Sequence, residues 1–111
     1  IKSKNNFNKV KYFEADIYKS KNKYLLIKNQ KFNFLKNLLI FPMREINQKK
    51  FKSSLNKRIN IKISNMDMKI SINKKNKKIY LKNSFMLDKD DIKNHILPSF
   101  TKKIFKSVMS Y

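Results

Sequence analysis

In LDKDDIKNH, Leu87 to His95, Asp91 and His95 fall at the i, i+4 spacing that sets two metal ligands on one helix face. Two ligands with no cysteine, second histidine or neighbouring glutamate do not complete a metal's coordination shell. The better use of Asp88, Asp90 and Asp91 is at a helix start, where carboxylates meet unpaired backbone N–H groups and the positive end of the helix dipole. His95 then reads as exposed. Glu14 and Asp16 share one face of a strand, but in so positive a chain they read as salt-bridge partners rather than an acid and a base. With one histidine, no cysteine and no glycine, the chain has no nucleophile elbow, phosphate loop, dinucleotide fingerprint or glycine nucleotide clamp. No catalytic, cofactor or metal residue is assigned, no small-molecule substrate is expected, and the chain reads as a non-enzyme.

The side chains with the strongest pattern are lysines. They cluster as Lys49, Lys50 and Lys52 with Lys57 and Arg58, as Lys74, Lys75, Lys77 and Lys78, and as Lys102, Lys103 and Lys106. Ammonium groups that neutralise phosphates release condensed counterions, so a few such contacts give strong, salt-sensitive binding without reading sequence. Arginine, which grips guanine edges and phosphates in bidentate fashion, is nearly absent, so the expectation is recognition of backbone and shape. A structured RNA, with crowded phosphates and accessible 2′-hydroxyls, fits that expectation. Among the aromatics, Phe32, Phe34, Phe51 and Tyr80 are candidates for stacking on bases. The core competes for Phe32, Phe100 and Phe105, since an interior without tryptophan and with a single alanine must be filled by such side chains. Tyr80 points away from the Ile79 and Leu81 face and lies between lysines, which makes it the aromatic kept in the candidate site.

These clusters sit in a chain of 111 residues with 28 basic and 7 acidic side chains, a formal charge of +21. Such self-repulsion exceeds what solubility requires and calls for a polyanion. The 26 lysines, 15 asparagines and 14 isoleucines beside two arginines and no glycine are what an AT-rich genome encodes. That bias explains asparagine and isoleucine better than it explains the scarcity of acids. The longest uncharged apolar run, Asn37 to Met43 before its nearest charge, is like every other uncharged stretch far short of the roughly 20 apolar residues that span a bilayer, so the chain is not expected to span a membrane.

Stepping along the sequence, residues 1–9 have no hydrophobic period and read as a basic arm, with 10–111 as a single α+β RNA-binding domain. Val10 to Ile27 reads as two strands joined at KSKNK, where Asn22 is the residue expected to take the left-handed turn conformation. Phe32, Leu35, Leu38 and Leu39 fall at helical spacing, while their length and aromatic content also suit a buried strand, and Pro42 ends either. Asn47 to Arg58 is a basic loop or one short helix carrying Phe51 and Leu55 four apart. The alternation of Ile59, Ile61 and Ile63, the parity change at Ser64 and Asn65, and the alternation of Met66, Met68, Ile70 and Ile72 predict strands Arg58 to Ser64 and Asp67 to Asn73. Lys78 to Asn83 would complete a three-stranded antiparallel meander with a lysine tip around Asn76. A short helix with Ile92, Ile96 and Leu97 on one face follows, Pro98 breaks it, and Ser99 opens a last helix with Phe100, Ile104, Phe105 and Val108 inward. The expected fold is a small α+β domain with this meander, short C-terminal helices and extended basic termini.

Small size, extreme lysine content and absent cysteine resemble ribosomal proteins of AT-rich mitochondria or plastids. Within Ser54 to Asn83 the pattern is similar to the first domain of the large-subunit ribosomal protein six family. Ile61-Lys62-Ile63-Ser64 stands at that family's first strand, Met66 to Ile72 at the second and Ile79 to Lys82 at the third. Ser64 replaces its proline, and Asn83-Ser84 stands where Gly-Pro is expected. The resemblance implies a structural constituent of a mitochondrial ribosome, with plastid as the other compartment, whose partners are ribosomal RNA and neighbouring ribosomal proteins. The alternative is a basic accessory subunit of an organellar membrane protein complex, held by anionic lipid and protein. A fragment of a nucleic-acid enzyme is disfavoured by the missing carboxylate cluster.

Overall fold

The computed structural model describes residues 9–63, 65–75, 84–94 and 97–109, and among them seven strands and three short helices make an α+β fold. The chain divides into two compact units, one of Ile1–Ala15 with Met43–Asn73 and one of Asp16–Pro42 with Lys74–Tyr111. Strand β1 (Lys9–Ser20) runs through the division, giving its first part to one unit and its end to the other.

In the first unit β1 pairs antiparallel with β4 (Met43–Ile46), from Tyr12↔Ile46 to Ala15↔Met43, and also neighbours β6 (Met66–Lys75). Helix α1 (Gln48–Ser53) leads into β5 (Lys57–Ile63), which pairs antiparallel with β6 from Lys57↔Ile72 to Ile63↔Met66. That register is the one the isoleucine and methionine alternation predicts. It places Ile59, Ile61 and Ile63 opposite Ile70, Met68 and Met66, and Ile61, Met68, Ile70 and Ile72 are buried with Phe13, Ala15, Met43 and Phe51. Asn65 lies in the connecting turn, and Ser64 is outside the described residues. The third expected strand, Lys78 to Asn83, and the tip around Asn76 also lie outside them. The next described strand, β7 (Ser84–Asp88), pairs not with β6 but with β2 (Lys23–Lys28), from Lys23↔Asp88 to Ile27↔Ser84.

In the second unit β2 also meets the end of β1 at Lys19↔Tyr24 and Ser20↔Lys23, so Lys21 and Asn22 form a two-residue hairpin loop. The positive φ, 57°, falls on Lys21 and not on Asn22. A left-handed first central residue is what a II′-type turn demands, and it is the primed turns that match strand twist. Residues 31–38 form neither the helix nor the strand their spacing allows. They make a looped excursion with Leu35 at φ 52° and Asn37 at φ 67°, and only Leu39–Ile40, β3, pairs with β2. Buried Asn29 organises this loop. Its Nδ2 donates to the carbonyls of Phe34 (2.6 Å) and Leu35 (3.1 Å), and its Oδ1 accepts from the amides of Lys31 (3.2 Å) and Phe32 (3.0 Å). Its backbone closes the loop ends, the amide donating to Leu38 O and the carbonyl accepting from Asn37 N.

Asp88, just before α2 (Lys89–Asn94), and Asp91, in its first turn, cap it as expected. The Asp91 amide donates to Asp88 Oδ1 (2.8 Å), and the Asp88 amide donates to Asp91 Oδ2 (3.3 Å), a reciprocal capping box. Helix α3 (Ser99–Met109) buries Phe100, Ile104, Phe105 and Val108 and leaves Lys102, Lys103 and Lys106 exposed, again as the period predicts. Thr101 Oγ1 donates to Leu39 O at 2.6 Å, tying α3 to β3, and Phe105 meets Tyr24 edge-on at 5.2 Å. The C-terminal end is therefore helical through Met109 rather than an extended tail. Of the N-terminal arm, residues 1–8 lie outside the described residues, while Lys9 already belongs to β1.

Candidate nucleic-acid interface

The first unit builds its basic edge on α1. A six-residue helix is too short to persist alone, so it must be anchored. Asn47 caps its start, with Oδ1 accepting from the Lys50 amide at 2.7 Å, and Phe51 sinks into the core against Tyr12 with ring centroids 5.1 Å apart. With Phe51 facing inward, Lys49, Lys50 and Lys52 are left facing solvent. Arg58, the second residue of β5, sends Nη2 to the carbonyls of Lys52 (3.1 Å) and Ser54 (2.6 Å) and lays its guanidinium over the Phe51 ring at 5.2 Å. A cation at a helix C-terminus is favourable, and here it also fixes the loop. Arg58 is thus exposed but already committed to holding α1, and its contribution to a ligand is positive potential more than free N–H donors. Lys57, opening β5, is half-buried.

The loop between α1 and β5 presents one apolar side chain outward. Ser54 Oγ lies 2.9 Å from Ser71 Oγ and accepts from the Asn56 amide at 3.1 Å, so the residues on either side of Leu55 are tied down. Leu55 itself is 101% exposed. Its spacing from Phe51 suggests a shared helix face, but α1 stops at Ser53 and the face ends there. On the β5–β6 hairpin, Arg58, Asn60 and Lys62 point to the exposed face, with Lys69 opposite Asn60 and Asp67 opposite Lys62. Lys62 and Lys69 extend the basic edge. They belong to no run of lysines, and only the strand register groups them.

Glu14, expected to serve as an ion-pair partner, does so. Its buried carboxylate meets the guanidinium of its cross-strand partner Arg44 and accepts from Asn73 Nδ2 at 3.4 Å, with Lys50 Nζ at 4.0 Å. With Asn73, the pair links β1, β4 and β6. Phe51, a stacking candidate, is a core residue at 7% exposure and offers no free ring face.

The second unit carries the other sequence-predicted lysines. Lys74 is exposed and Lys75 half-buried at the end of β6, whereas Lys77, Lys78 and Tyr80 lie outside the described residues. Lys102, Lys103 and Lys106 are exposed on α3, and Lys21 and Lys23 are exposed at the β1–β2 turn. Phe32 is not core but half-buried, stacked on Phe34 at 5.0 Å and 19°. Lys31 covers its ring at 5.3 Å.

The fold has a counterpart. The chain is similar to the crystal structure of the complex between the C-terminal domain of mouse MUTYH and human PCNA, with a TM-score of 0.61, 11% identity, and 90% of this chain and 88% of that chain covered. At that identity the likeness is one of fold. No family model matches the sequence, and no curated protein matches it.

Proposed function

We propose that the chain is a non-catalytic nucleic-acid-binding domain, and that duplex DNA is the polyanion met by the α1–β5 edge of its first unit. One observation carries the reading: a fully exposed leucine at a loop tip fixed on both sides, in a loop bonded by Arg58 and following the helix that carries Lys49, Lys50 and Lys52. Exposed apolar side chains among cations are the device by which proteins wedge between base steps while lysines hold the flanking phosphates. A wedge needs a stack to enter, which favours a duplex over a purely electrostatic surface.

A second reading keeps the ribosomal expectation: a mitochondrial ribosomal constituent that binds ribosomal RNA through the same lysines. The observation that favours it is the excess of 26 lysines over two arginines, which suits phosphate and shape recognition. Among the described residues no helix is long and apolar enough to cross a membrane.

The two main readings separate in a competition assay. Labelled duplex DNA bound to the purified chain is challenged with unlabelled duplex or with a structured ribosomal RNA fragment of equal phosphate concentration. The DNA reading expects the duplex to compete at least as well as the RNA, and Leu55→Ala to weaken duplex binding about five- to tenfold, roughly 1–1.4 kcal/mol. If the RNA displaces DNA at a small fraction of its phosphate concentration and Leu55→Ala changes nothing, the ribosomal reading takes its place.

A further inference from the structure

Apart from the basic edge, the second unit carries a groove of about 390 Å³ between α2 and α3, lined by Ile92, Lys93, Lys102, Phe105, Lys106 and Met109. Its make-up follows from helix geometry. On α3, residues 102, 105, 106 and 109 form one stripe, beside the Phe100, Ile104 and Val108 stripe that turns into the core. Ile92 and Phe105 form a buried floor at 1% and 6% exposure, and Met109 is 42% exposed above them. The lysines stand along the edges, Lys93 on α2 and Lys102 and Lys106 one turn apart on α3.

We infer that this groove docks an acidic peptide segment of a partner protein, one whose apolar anchors enter between the two helices while its carboxylates meet the lysine rims. The commitment to this occupant rests on charge complementarity. The charged side chains lining the groove, Lys93, Lys102 and Lys106, are all cationic; Asp91 is held in the capping box with Asp88, and Asp88 and Asp90 line a neighbouring cavity that meets the groove at Met109. Complementary potential of this kind selects the partner and speeds encounter. A nucleic acid fits the floor poorly, because Ile92 and Met109 offer no hydrogen bond to a base edge and Phe105 shows almost no ring face. A second copy of this chain is repelled by its own +21 charge. An amphipathic acidic helix in a groove satisfies both the floor and the rims, and a soft, unbranched methionine adapts to such anchors.

The test uses a synthetic acidic peptide of about twelve residues with leucine and phenylalanine anchors at i, i+4 spacing, and a control of equal charge with both anchors replaced by alanine. Binding to the full chain is followed by fluorescence anisotropy, and the site is mapped by amide NMR shifts. The expected result is binding of the anchored peptide with shifts concentrated on α2 and α3, at least a tenfold loss in Met109→Glu and in the Lys93→Glu/Lys102→Glu double variant, and no loss in Lys49→Ala/Lys50→Ala/Lys52→Ala. All the substituted positions are exposed, and an unchanged NMR spectrum elsewhere verifies that each variant folds. Equal binding of the anchorless control, insensitivity to Met109→Glu, absence of binding, or displacement of the peptide from α2 and α3 by duplex DNA would each overturn the inference. None of these outcomes depends on Leu55 or on the α1 lysines, so the nucleic-acid reading stands or falls separately.

Discussion

Single residues carry much of this fold, and Asn29 carries more than its size suggests. Its side chain satisfies two carbonyls and two amides of the loop it anchors while being 1% exposed. Removing that side chain leaves several loop groups without partners away from water, each costing roughly 1–3 kcal/mol where the loop cannot rearrange. Asn29→Ala is therefore expected to lower unfolding stability by about 3 kcal/mol, read as a shifted urea midpoint with an unchanged slope. Nothing in the sequence marks Asn29 among 15 asparagines, because its role depends on where residues 31–38 return in space. Glu14 was legible as an ion-pair partner, since an isolated acid in a lysine-rich chain must find a cation, but its match to Arg44 needed the β1–β4 register. Leu55 was the least legible residue. Its contrast with Phe51 arises only because α1 ends at Ser53 and the chain turns.

At the scale of elements, legibility followed the strength of the period. The β5–β6 hairpin and α3 repeat their apolar positions without interruption, so a single register buries them, and both are found where the pattern places them. Residues 31–38 defeated the pattern because Leu35 and Asn37 adopt left-handed backbone conformations, which break a helix and a strand alike. In a chain without glycine such positions fall on Asn37, which tolerates them, and on Leu35, which resists them. The β1–β2 turn shows the same compromise at Lys21. Glycine there relieves the Cβ clash but frees the unfolded chain, two opposing effects of about 1 kcal/mol each, with the strain relief the larger. Lys21→Gly is expected to stabilise the chain by about 0.5 kcal/mol, visible as a rise of roughly 3 °C in the thermal midpoint. A fall in the midpoint would mean that the lysine is not strained at this turn.

For the whole molecule, charge governs behaviour more than any one contact. With +21 on 111 residues, the free chain should gain stability as added salt screens self-repulsion, so its thermal midpoint is expected to rise with ionic strength. Duplex DNA should raise it further at constant salt, by about 2.7 kcal/mol of stabilisation at a hundredfold excess over Kd. The proposal of a polyanionic partner rests on composition alone, on the +21 charge. The proposed preference for DNA over RNA does not, because it rests on the exposed Leu55, which lysine counts do not reveal. The central claim is that Lys49, Lys50 and Lys52 neutralise phosphates at the α1–β5 edge. The most direct test is the slope of log K against log salt for duplex DNA, measured for the chain and for its Lys49→Ala/Lys50→Ala/Lys52→Ala variant. The account predicts a slope shallower by about 2–3 units in the variant, close to 0.9 for each lost phosphate contact. Parallel slopes with similar affinities would contradict it and move the interface away from α1.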